Sequence, residues 1–468
     1  MQGKSRQEER TAQNDEWKKS ILTLLKVIGK FFPDLFRSFE GTDPREKRRI
    51  TYTVRFILTI LFFKYALSIV SMRSMEDLFE NSTIIANLAL LGGMKGMLRI
   101  PCAHTINNLL MILPVSFLWC IRKKIIFKLI RSKRLDHGRW HKHFAIIIDA
   151  TQTYGGKTPI NVRCLKRVHS KGTEDEHTTY HRNVLEAKLW IVGTPFVFSI
   201  CSVFIENDPG EGTNKKRSKE KIKQDCELAA FNRLAPKLNS DFPRLPIIIL
   251  ADALYISNNV LNLCNSYGWK FMIRYKKGAA STIQEYVDVA IKAGDLKTIP
   301  DQIEYKNIGY YTGIPYHDHI LNYIQATVHA SGAVMNMKWV TNIELKYNVI
   351  YILDVVRLGR GRWKIENQGF NRQKHWLGVL EHLCCWNDQA LKNHYLMIQI
   401  ADIFLTLWEM EEAAENEKKR WNDPDFKPIE RTFQTRALQL LDGLGNISFI
   451  GCDQCPVIEI LAEKQSAA

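Results

Sequence analysis

Three acidic residues lie at the ends of predicted strands or within a predicted helix. Asp149 closes the apolar run FAIIIDAT (144–151), and Asp252 closes the run in LPIIILADALYI (245–256). Glu366 lies in RGRWKIENQGFNRQKHW (360–376), one helical turn after Arg362. Hard divalent cations such as Mg²⁺ prefer oxygen ligands, and a pair of them can activate an attacking oxygen and stabilise a leaving one. These residue types predict a two-metal site for phosphodiester chemistry, provided that the fold brings them together.

Each acid also has a purely structural explanation. An Asp at the end of a strand is commonly a cap or turn residue. A Glu four residues after an Arg is commonly one half of an ion pair on the face of a helix. These residues alone do not decide between a structural role and a metal site. The occurrence of all three acids in this pattern favours the metal site.

The segments around the acids predict a mixed α/β sheet. The order along residues 144–276 is strand, strand pair, helix, strand, helix and strand, with the first helix expected at 217–236. Carboxylates at the ends of neighbouring strands meet at one edge of such a sheet. Alternating patterns and turn residues over 278–338 predict a β-rich insertion, after which a strand at 338–342 and helices at 345–358 and 363–377 are expected.

The flanking regions read as helical. We expect a flexible tail over residues 1–20, a helical domain over 21–140 that could bind DNA, and a helical or irregular region over 401–468. The catalytic core is expected to span residues 141–277 and 339–400, on either side of the insertion. Residues 121–143 hold nine Lys or Arg and one Asp at helical spacing, which predicts a helix with a basic outer stripe suited to DNA phosphates.

Composition narrows the class of protein. The chain has 468 residues, 46% of them hydrophobic, and 65 Lys or Arg against 49 Asp or Glu, a net charge of +16. That excess favours a nucleic-acid partner, the alternative being a basic enzyme indifferent to nucleic acid. Ten scattered cysteines favour a reducing compartment. The most apolar early run, residues 56–63, is too short to cross a membrane, and no nucleotide-binding fingerprint is present. We expect a protein of the cytoplasm, associated with the nucleoid and not with a membrane.

The motifs AIIIDAT, IILADALYI and WVTN…RGRWKIENQGFNRQKHW resemble those of DDE transposases. The similarity is to the bacterial insertion-sequence type, with an RNase H-like, retroviral integrase-like catalytic core and a β-rich insertion before the final Glu. It covers roughly residues 140–400, and its most specific part is Arg-Trp-x-Ile-Glu after a Thr-Asn strand and a helix. The acids are 103 and 114 residues apart, and the longer second interval suits an insertion.

The resemblance implies roles for individual residues. Asp149, Asp252 and Glu366 match the catalytic triad that binds two magnesium ions, with manganese as a substitute. The DNA-binding residues that it implies are Arg362, on the phosphate of the DNA end, with its neighbours Trp363 and Arg360, and also Lys374 and Trp339. Trp339 would hold a flipped base, or else it is an ordinary core residue.

The chain departs from the family signature at two positions. The Tyr that the family has three residues before its Arg is Gly359 here. The Lys that it has seven residues after its Glu is Gln373, with Lys374 one position further. Neither departure touches the three acids.

The function predicted from these residues is metal-dependent cleavage at transposon ends and strand transfer by in-line attack on a phosphodiester. The alternatives are a metal-dependent nuclease without strand transfer and an inactive DNA-binding relic. The implied partners are the terminal repeats, target DNA and a second copy of the chain in a synaptic homodimer. The Cys/His-containing loop 164–181, which could face phosphate or hold zinc, and CDQC at 452–455 carry no assigned role.

Overall fold

A computed structural model describes residues 6–451 except 42, 95, 208–223, 277, 331–332 and 429. CDQC lies outside these described residues. The helices are α1 Arg6–Phe31, α2 Leu35–Ser38, α3 Val54–Ala66, α4 Met72–Leu78, α5 Ser82–Leu91, α6 Ala103–Ile112, α7 Val115–Arg131, α8 Glu227–Asp241, α9 Asn258–Ser266, α10 Ser281–Ala293, α11 Val349–Arg360, α12 Asp388–Asn422 and α13 Phe433–Asn446. The strands are β1 Phe144–Gly156, β2 Leu165–His169, β3 His177–Trp190, β4 Val197–Ile205, β5 Ile247–Ala251, β6 Lys270–Arg274, β7 Lys297–Thr298, β8 Tyr305–Tyr316, β9 His319–Ala330 and β10 Ala333–Thr341.

The described strands form one mixed sheet with the order β2-β3-β1-β5-β6-β10-β9-β8-β7, and β4 pairs with β3. Its centre is an RNase H-like core. In this core β1, β3 and β4 are antiparallel neighbours, and β1, β5 and β6 run parallel. The fold class predicted from the sequence is therefore confirmed. β5 is apolar at every position because a parallel central strand is covered on both faces.

The chain divides into two compact units, and the sheet belongs to the unit formed by Arg134–Lys157 and Arg163–Phe370. In this unit the inserted segment begins with a helix, α10, before its strands. β10 pairs with β6 on one side and β9 on the other, so the inserted strands extend the core sheet. Helix α8 begins at Glu227, ten residues later than the helix predicted at 217–236, and residues 217–223 are outside the described part.

The other unit, Met1–Lys133, Thr158–Val162 and Asn371–Ala468, is helical where it is described. The tail expected over residues 1–20 is helical from Arg6, because Arg, Gln, Glu, Lys and Ala favour helix even without an apolar stripe. Helix α12 packs against α3, α6 and α7, so the helices after residue 387 join the N-terminal helices. In α7, Leu118, Ile125 and Leu129 are buried while Lys124 and Lys128 are exposed, so the predicted basic outer stripe is present here. The helix ends at Arg131, short of the predicted residue 143, and Arg122 is buried. No described helix has the length and apolarity that a membrane span requires.

A buried histidine ties α3, α6 and α12 together in this helical unit. The Tyr65 hydroxyl lies 2.6 Å from His394 Nδ1, and His394 Nε2 lies 2.8 Å from Asn107 Oδ1. A neutral imidazole satisfies both contacts, since Nδ1 accepts from the hydroxyl and Nε2–H donates to the amide oxygen. Burial, with a smaller effect from Lys64, lowers the pKa of His394 to about 3.

Acidification is therefore expected to destabilise the fold through His394. In the unfolded chain this imidazole takes up a proton below about pH 6.5, whereas the folded state resists protonation, so its stabilising effect is lost as the pH falls. Between about pH 6.5 and pH 5 the free energy of unfolding should drop by roughly 2 kcal/mol. Urea denaturation of wild type and His394→Gln measures the difference, with exposed His104→Gln as the control. Equal acid sensitivity in wild type and His394→Gln would contradict this expectation.

Candidate active site

Two of the three acids lie at the same edge of the sheet. Parallel pairing of β1 with β5 aligns Ile147 with Leu250, and continuing that register by two residues sets Asp149 beside Asp252. Neighbouring strands are about 4.8 Å apart, so the two carboxylates start from adjacent backbone positions. Asp252 also accepts a hydrogen bond of 2.9 Å from the Leu254 amide, as a strand-end cap does. The structural and chemical interpretations of Asp252 are therefore compatible.

Glu366 reaches the same place through Arg362. Nη1 of Arg362 lies 3.1 Å from Oδ2 of Asp149, and Nη2 lies 2.9 Å from Oε1 of Glu366. One guanidinium thus bridges two carboxylates from a strand and a helix, which keeps them within about 8 Å of each other. Arg362 is in a 3₁₀ turn and Glu366 is in the π-helical turn Ile365–Phe370, a geometry found frequently at functional sites.

Two glycines let this segment approach the sheet closely. A Cβ atom on Gly361 would lie 2.0 Å from the Trp190 ring. One on Gly359 would lie 2.7 Å from both the Trp339 indole and the Met272 side chain. The Tyr expected at position 359 from the family signature has no room here, because the large indole of Trp339 occupies that space.

Gly361→Ala is expected to displace the segment that carries Glu366. The added methyl group meets the Trp190 ring, which is buried and holds its Nε1 hydrogen bond to Thr194. Overpacking of this kind typically costs about 1–3 kcal/mol, and the shift should also separate Glu366 from Asp149. Thermal melts and a metal titration measure both effects. Gly445→Ala in α13, whose added Cβ would meet only ordinary contacts at 3.7 Å or more, is the control and should change neither.

The electrostatic setting of Asp149 is unusual for a carboxylate. Burial raises the pKa of Asp149 to about 7, against the opposing effect of Arg362 and with further contributions from Glu366 and Glu227. Its side chain is 19% exposed, and its Oδ1 also accepts a hydrogen bond from the Ala150 amide. A buried carboxylate beside other acids calls for a cation, which Arg362 supplies in this structure.

Sequence reasoning missed two charged residues of this edge. Continuing the pairing of Ala251 with Ile273 sets Asp252 beside Arg274, so the strand-end argument applied to β6 would have found Arg274. Glu227 opens α8, and its carboxylate accepts a hydrogen bond of 3.4 Å from the buried Tyr255 hydroxyl. Burial, and then the charge of Asp252, raise the pKa of Glu227. An acid in the first turn of a helix is too common to attract notice from sequence.

Carboxylate oxygens of the three acids suit hard divalent cations as ligands. Within the described residues, no group of three or more His, Cys, Asp or Glu side chains is arranged to hold a metal ion. At this edge of the sheet the Arg362 guanidinium binds oxygens of Asp149 and Glu366. The ligand chemistry of carboxylate oxygens suits Mg²⁺ or Mn²⁺ once the guanidinium moves aside.

A basic cleft of about 630 Å³ opens next to this segment. Trp363 lines it with an exposed face, and Arg360 adds a cation that contacts the Tyr305 hydroxyl at 3.4 Å. The other apolar and basic residues of the lining are Trp190, Met335, Met337, Arg357 and Lys364. Aromatic faces beside cations are the surface that bases and phosphates fit.

Trp339 does not present a ring to this cleft. It is 1% exposed, lies in the hydrophobic core and packs against Gly359, so its ring takes a core position that leaves it inaccessible to a base in this structure. The indole is buried because β10 pairs on both sides, which places it under α11 and not at an edge.

Gln373 and Lys374 belong to the helical unit, whereas the three acids belong to the other unit. Gln373 is fully buried, and its side chain donates to Gln399 at 3.0 Å and to Asp402 at 2.7 Å. A lysine at this position would add a second cation to the buried network in which Arg372 already pairs with Asp402. Lys374 forms an ion pair of 2.8 Å with Glu381 and is 17% exposed, so a DNA contact requires that pair to open.

The RNase H-like sheet places acids at the ends of two central parallel strands, with a third acid on a following helix, an arrangement that suits phosphodiester chemistry. Residues 228–401 match a protein-family model described as the transposase DDE domain, and this stretch contains Asp252 and Glu366. This part of the chain is thus similar to the catalytic domain of DDE transposases. No curated protein matches it in sequence.

Proposed function

We propose that this chain cuts DNA at the ends of a mobile element and joins the freed ends to a target. The observation that carries the proposal is the convergence on one sheet edge of Asp149, Asp252 and Glu366, in a chain with a transposase DDE domain. Cations of the surrounding surface, Arg362 and Arg360 among them, suit a DNA substrate, as does the net charge of +16. The two copies needed to pair element ends would act as a homodimer in the cytoplasm, at the nucleoid.

The three acids would hold the divalent ions through their carboxylate oxygens. Two Mg²⁺ ions, when bound, would activate water or a DNA 3′-hydroxyl and stabilise the leaving 3′-oxygen. The residues of the chain then have separate tasks. Arg362 leaves the acids for a phosphate of the DNA end, where its planar guanidinium can bind two oxygens. Trp363 offers its exposed face to a base.

The test uses the full chain with duplex DNA that carries the sequence flanking its own gene, as the source of element ends. In Mg²⁺ or Mn²⁺, a transposase should release 3′-hydroxyl ends and join them to a second, unlabelled plasmid. Cleavage without joining would replace the proposal with a nuclease. Binding without either product would point to an inactive relic.

A further inference from the structure

The segment that carries Glu366 lies against strand β3 at two glycines, one on each side of Glu366. A Cβ atom added to Gly361 would lie 2.0 Å from the Trp190 ring. One added to Gly369 would lie 3.0 Å from both Cδ and Cε of Lys188. Trp190 and Lys188 are two residues apart in β3, so their side chains share one face of the sheet. Two neighbouring side chains of one strand therefore support this segment from the side of the sheet.

Strand β3 is also bonded to the strand that carries Asp149. Antiparallel pairing sets Glu186 of β3 directly opposite Asp149. Lys188, two residues further along β3, is opposite Ile147. Residues opposite each other in such a pair lie on one face of the sheet, with Cβ atoms about 4.5–5.5 Å apart. The strand that supports Glu366 thus shares a fixed register with the strand of Asp149, and β3 links the positions of the two carboxylates.

Two charged residues on this buried face of β3 are unexpected. Glu186 and Lys188 are both 0% exposed, although Trp190 on the same face belongs to the hydrophobic core. In the register of β3 with β4, Ser199 is opposite Lys188. Ser202 is opposite Glu186, and the Ser199 hydroxyl donates a hydrogen bond to Oε1 of Glu186. We call Glu186, Lys188, Ser199 and Ser202, all of which are buried, the polar cluster.

The polar cluster is poorly explained by stability alone. Apolar residues of similar volume often serve a core as well as a buried pair of opposite charges, because the charges must first leave water. Buried polar groups do add a preferred arrangement, since an ammonium group or a hydroxyl group needs its partners in fixed directions. A lysine whose ammonium group is fixed in this way has its stem fixed too. In Lys188 that stem is the part that lies beneath Gly369.

We propose that Lys188 is a positioning residue for Glu366. The polar cluster fixes its ammonium group, and its stem supports the π-helical turn Ile365–Phe370, which holds Glu366 toward Asp149. Trp190 gives the second support, at Gly361. The inference rests on the proposed function in one respect, that Glu366 is a ligand of the divalent ions. It assigns Lys188 no contact with DNA and no contact with an ion.

The test variant is Glu186→Gln/Lys188→Met, which removes both charges and keeps the length of both side chains. Replacing Lys188 alone would leave the charge of Glu186 buried without compensation and endanger folding. Calorimetric titration of the full chain with Mn²⁺, without DNA, should show an affinity about tenfold below wild type, as is usual for a residue behind a metal ligand. The kcat for cleavage of element-end DNA should fall about tenfold or more, whereas duplex affinity and the urea midpoint should stay near wild type.

Gly369→Ala tests the same contact from the other side. The added methyl group meets the Lys188 stem, so the turn should shift and the Mn²⁺ affinity should fall. Combined with Glu186→Gln/Lys188→Met, its effect should be non-additive, because both changes act through one contact. Additive effects would contradict the role of that contact. If the charge-removing variant has a collapsed urea midpoint, Gly369→Ala decides alone, and an unchanged Mn²⁺ affinity overturns the inference.

The matched control is Arg182→Met/Glu206→Gln. It also removes an ion pair of β3, one of 2.8 Å in which Arg182 is 4% exposed. Arg182 is opposite Tyr154, five residues past Asp149 in β1, so its loss should leave Mn²⁺ affinity and kcat near wild type. An equal loss in the control and in Glu186→Gln/Lys188→Met would reflect removal of any buried charge from β3 and would overturn the inference.

The outcomes separate this inference from the proposed function. Wild-type Mn²⁺ affinity and kcat in a folded Glu186→Gln/Lys188→Met would overturn the positioning role of Lys188 and leave the proposed function standing. A wild type that binds Mn²⁺ but cuts no DNA would overturn the proposed function, while the Mn²⁺ titrations still decide the role of Lys188. A wild type that binds no Mn²⁺ would overturn both.

Discussion

Glu366→Gln, Asp149→Asn and Asp252→Asn are each expected to abolish cleavage and joining while DNA binding persists. Each change keeps the size of the side chain and removes the charge that would hold a divalent cation. Loss of such a ligand should slow the reaction at least about 1,000-fold, or roughly 4 kcal/mol of barrier. Product formation on element-end DNA and duplex binding by anisotropy are measured on the same preparations.

The control for these variants is Asp295→Asn, which removes a charge from an exposed loop of the inserted segment. It should retain full activity. DNA affinity of the three site variants should stay equal or increase slightly, because a negative charge next to the phosphate is removed. Wild-type activity in Glu366→Gln would leave Glu366 as a helix-face partner of Arg362 and remove it from the site.

Asp149→Asn has a second expected result. Burial raises the pKa of Asp149 to about 7, which means that the charged form is unfavourable in the folded state. A neutral amide avoids the free-energy cost of burying a charge. The melting temperature should therefore stay the same or rise while activity is lost. A lower melting temperature would show that the ion pair with Arg362 outweighs the burial of the carboxylate.

Arg362→Ala is expected to raise the affinity for metal in the absence of DNA. The guanidinium binds the Asp149 and Glu366 oxygens at 3.1 and 2.9 Å, so it competes with a cation for them. In wild type, a DNA phosphate that draws Arg362 away should increase metal affinity, and by linkage metal should increase DNA affinity by the same factor. The factor expected is about tenfold, and the variant should lose this coupling.

Calorimetric titration with Mn²⁺, with and without duplex, measures the coupling directly and needs no turnover. Lys346→Ala is the control, since Lys346 is 71% exposed and pairs at the surface with Glu344, outside the basic cleft. It should leave both metal affinities unchanged. Arg362→Lys should resemble Arg362→Ala, because an ammonium group is unable to bridge two carboxylates as a planar guanidinium does. If the metal affinity of Arg362→Ala falls or stays constant, Arg362 does not compete with the cation for the Asp149 and Glu366 oxygens.

The local features of this chain could be predicted from sequence. The apolar runs before Asp149 and Asp252 are strands, as their composition indicates, and both acids follow at the predicted ends. The exposed stripe of α7 follows from its helical periodicity. Hydrophobic periodicity depends on a few neighbouring residues. Such strands and helices can therefore be predicted from the sequence without knowledge of the fold.

Tertiary structure decided which of these features meet. Asp149 and Asp252 are 103 residues apart, and only the parallel register of β1 with β5 sets them side by side. Trp339 looked like a candidate for base binding because its neighbours match a motif, but strand pairing on both sides buries it. Its volume also explains Gly359, a departure that the signature alone left unexplained.

The sequence by itself determined the acids, the strands that carry them and the positive charge that suits DNA. It left open that Arg362 bridges Asp149 and Glu366 and that Arg274 and Glu227 join this edge of the sheet. Each of these depends on register and packing between segments far apart in the chain. A single-residue change of register turns a side chain to the other face, so these contacts exist only once the sheet is assembled.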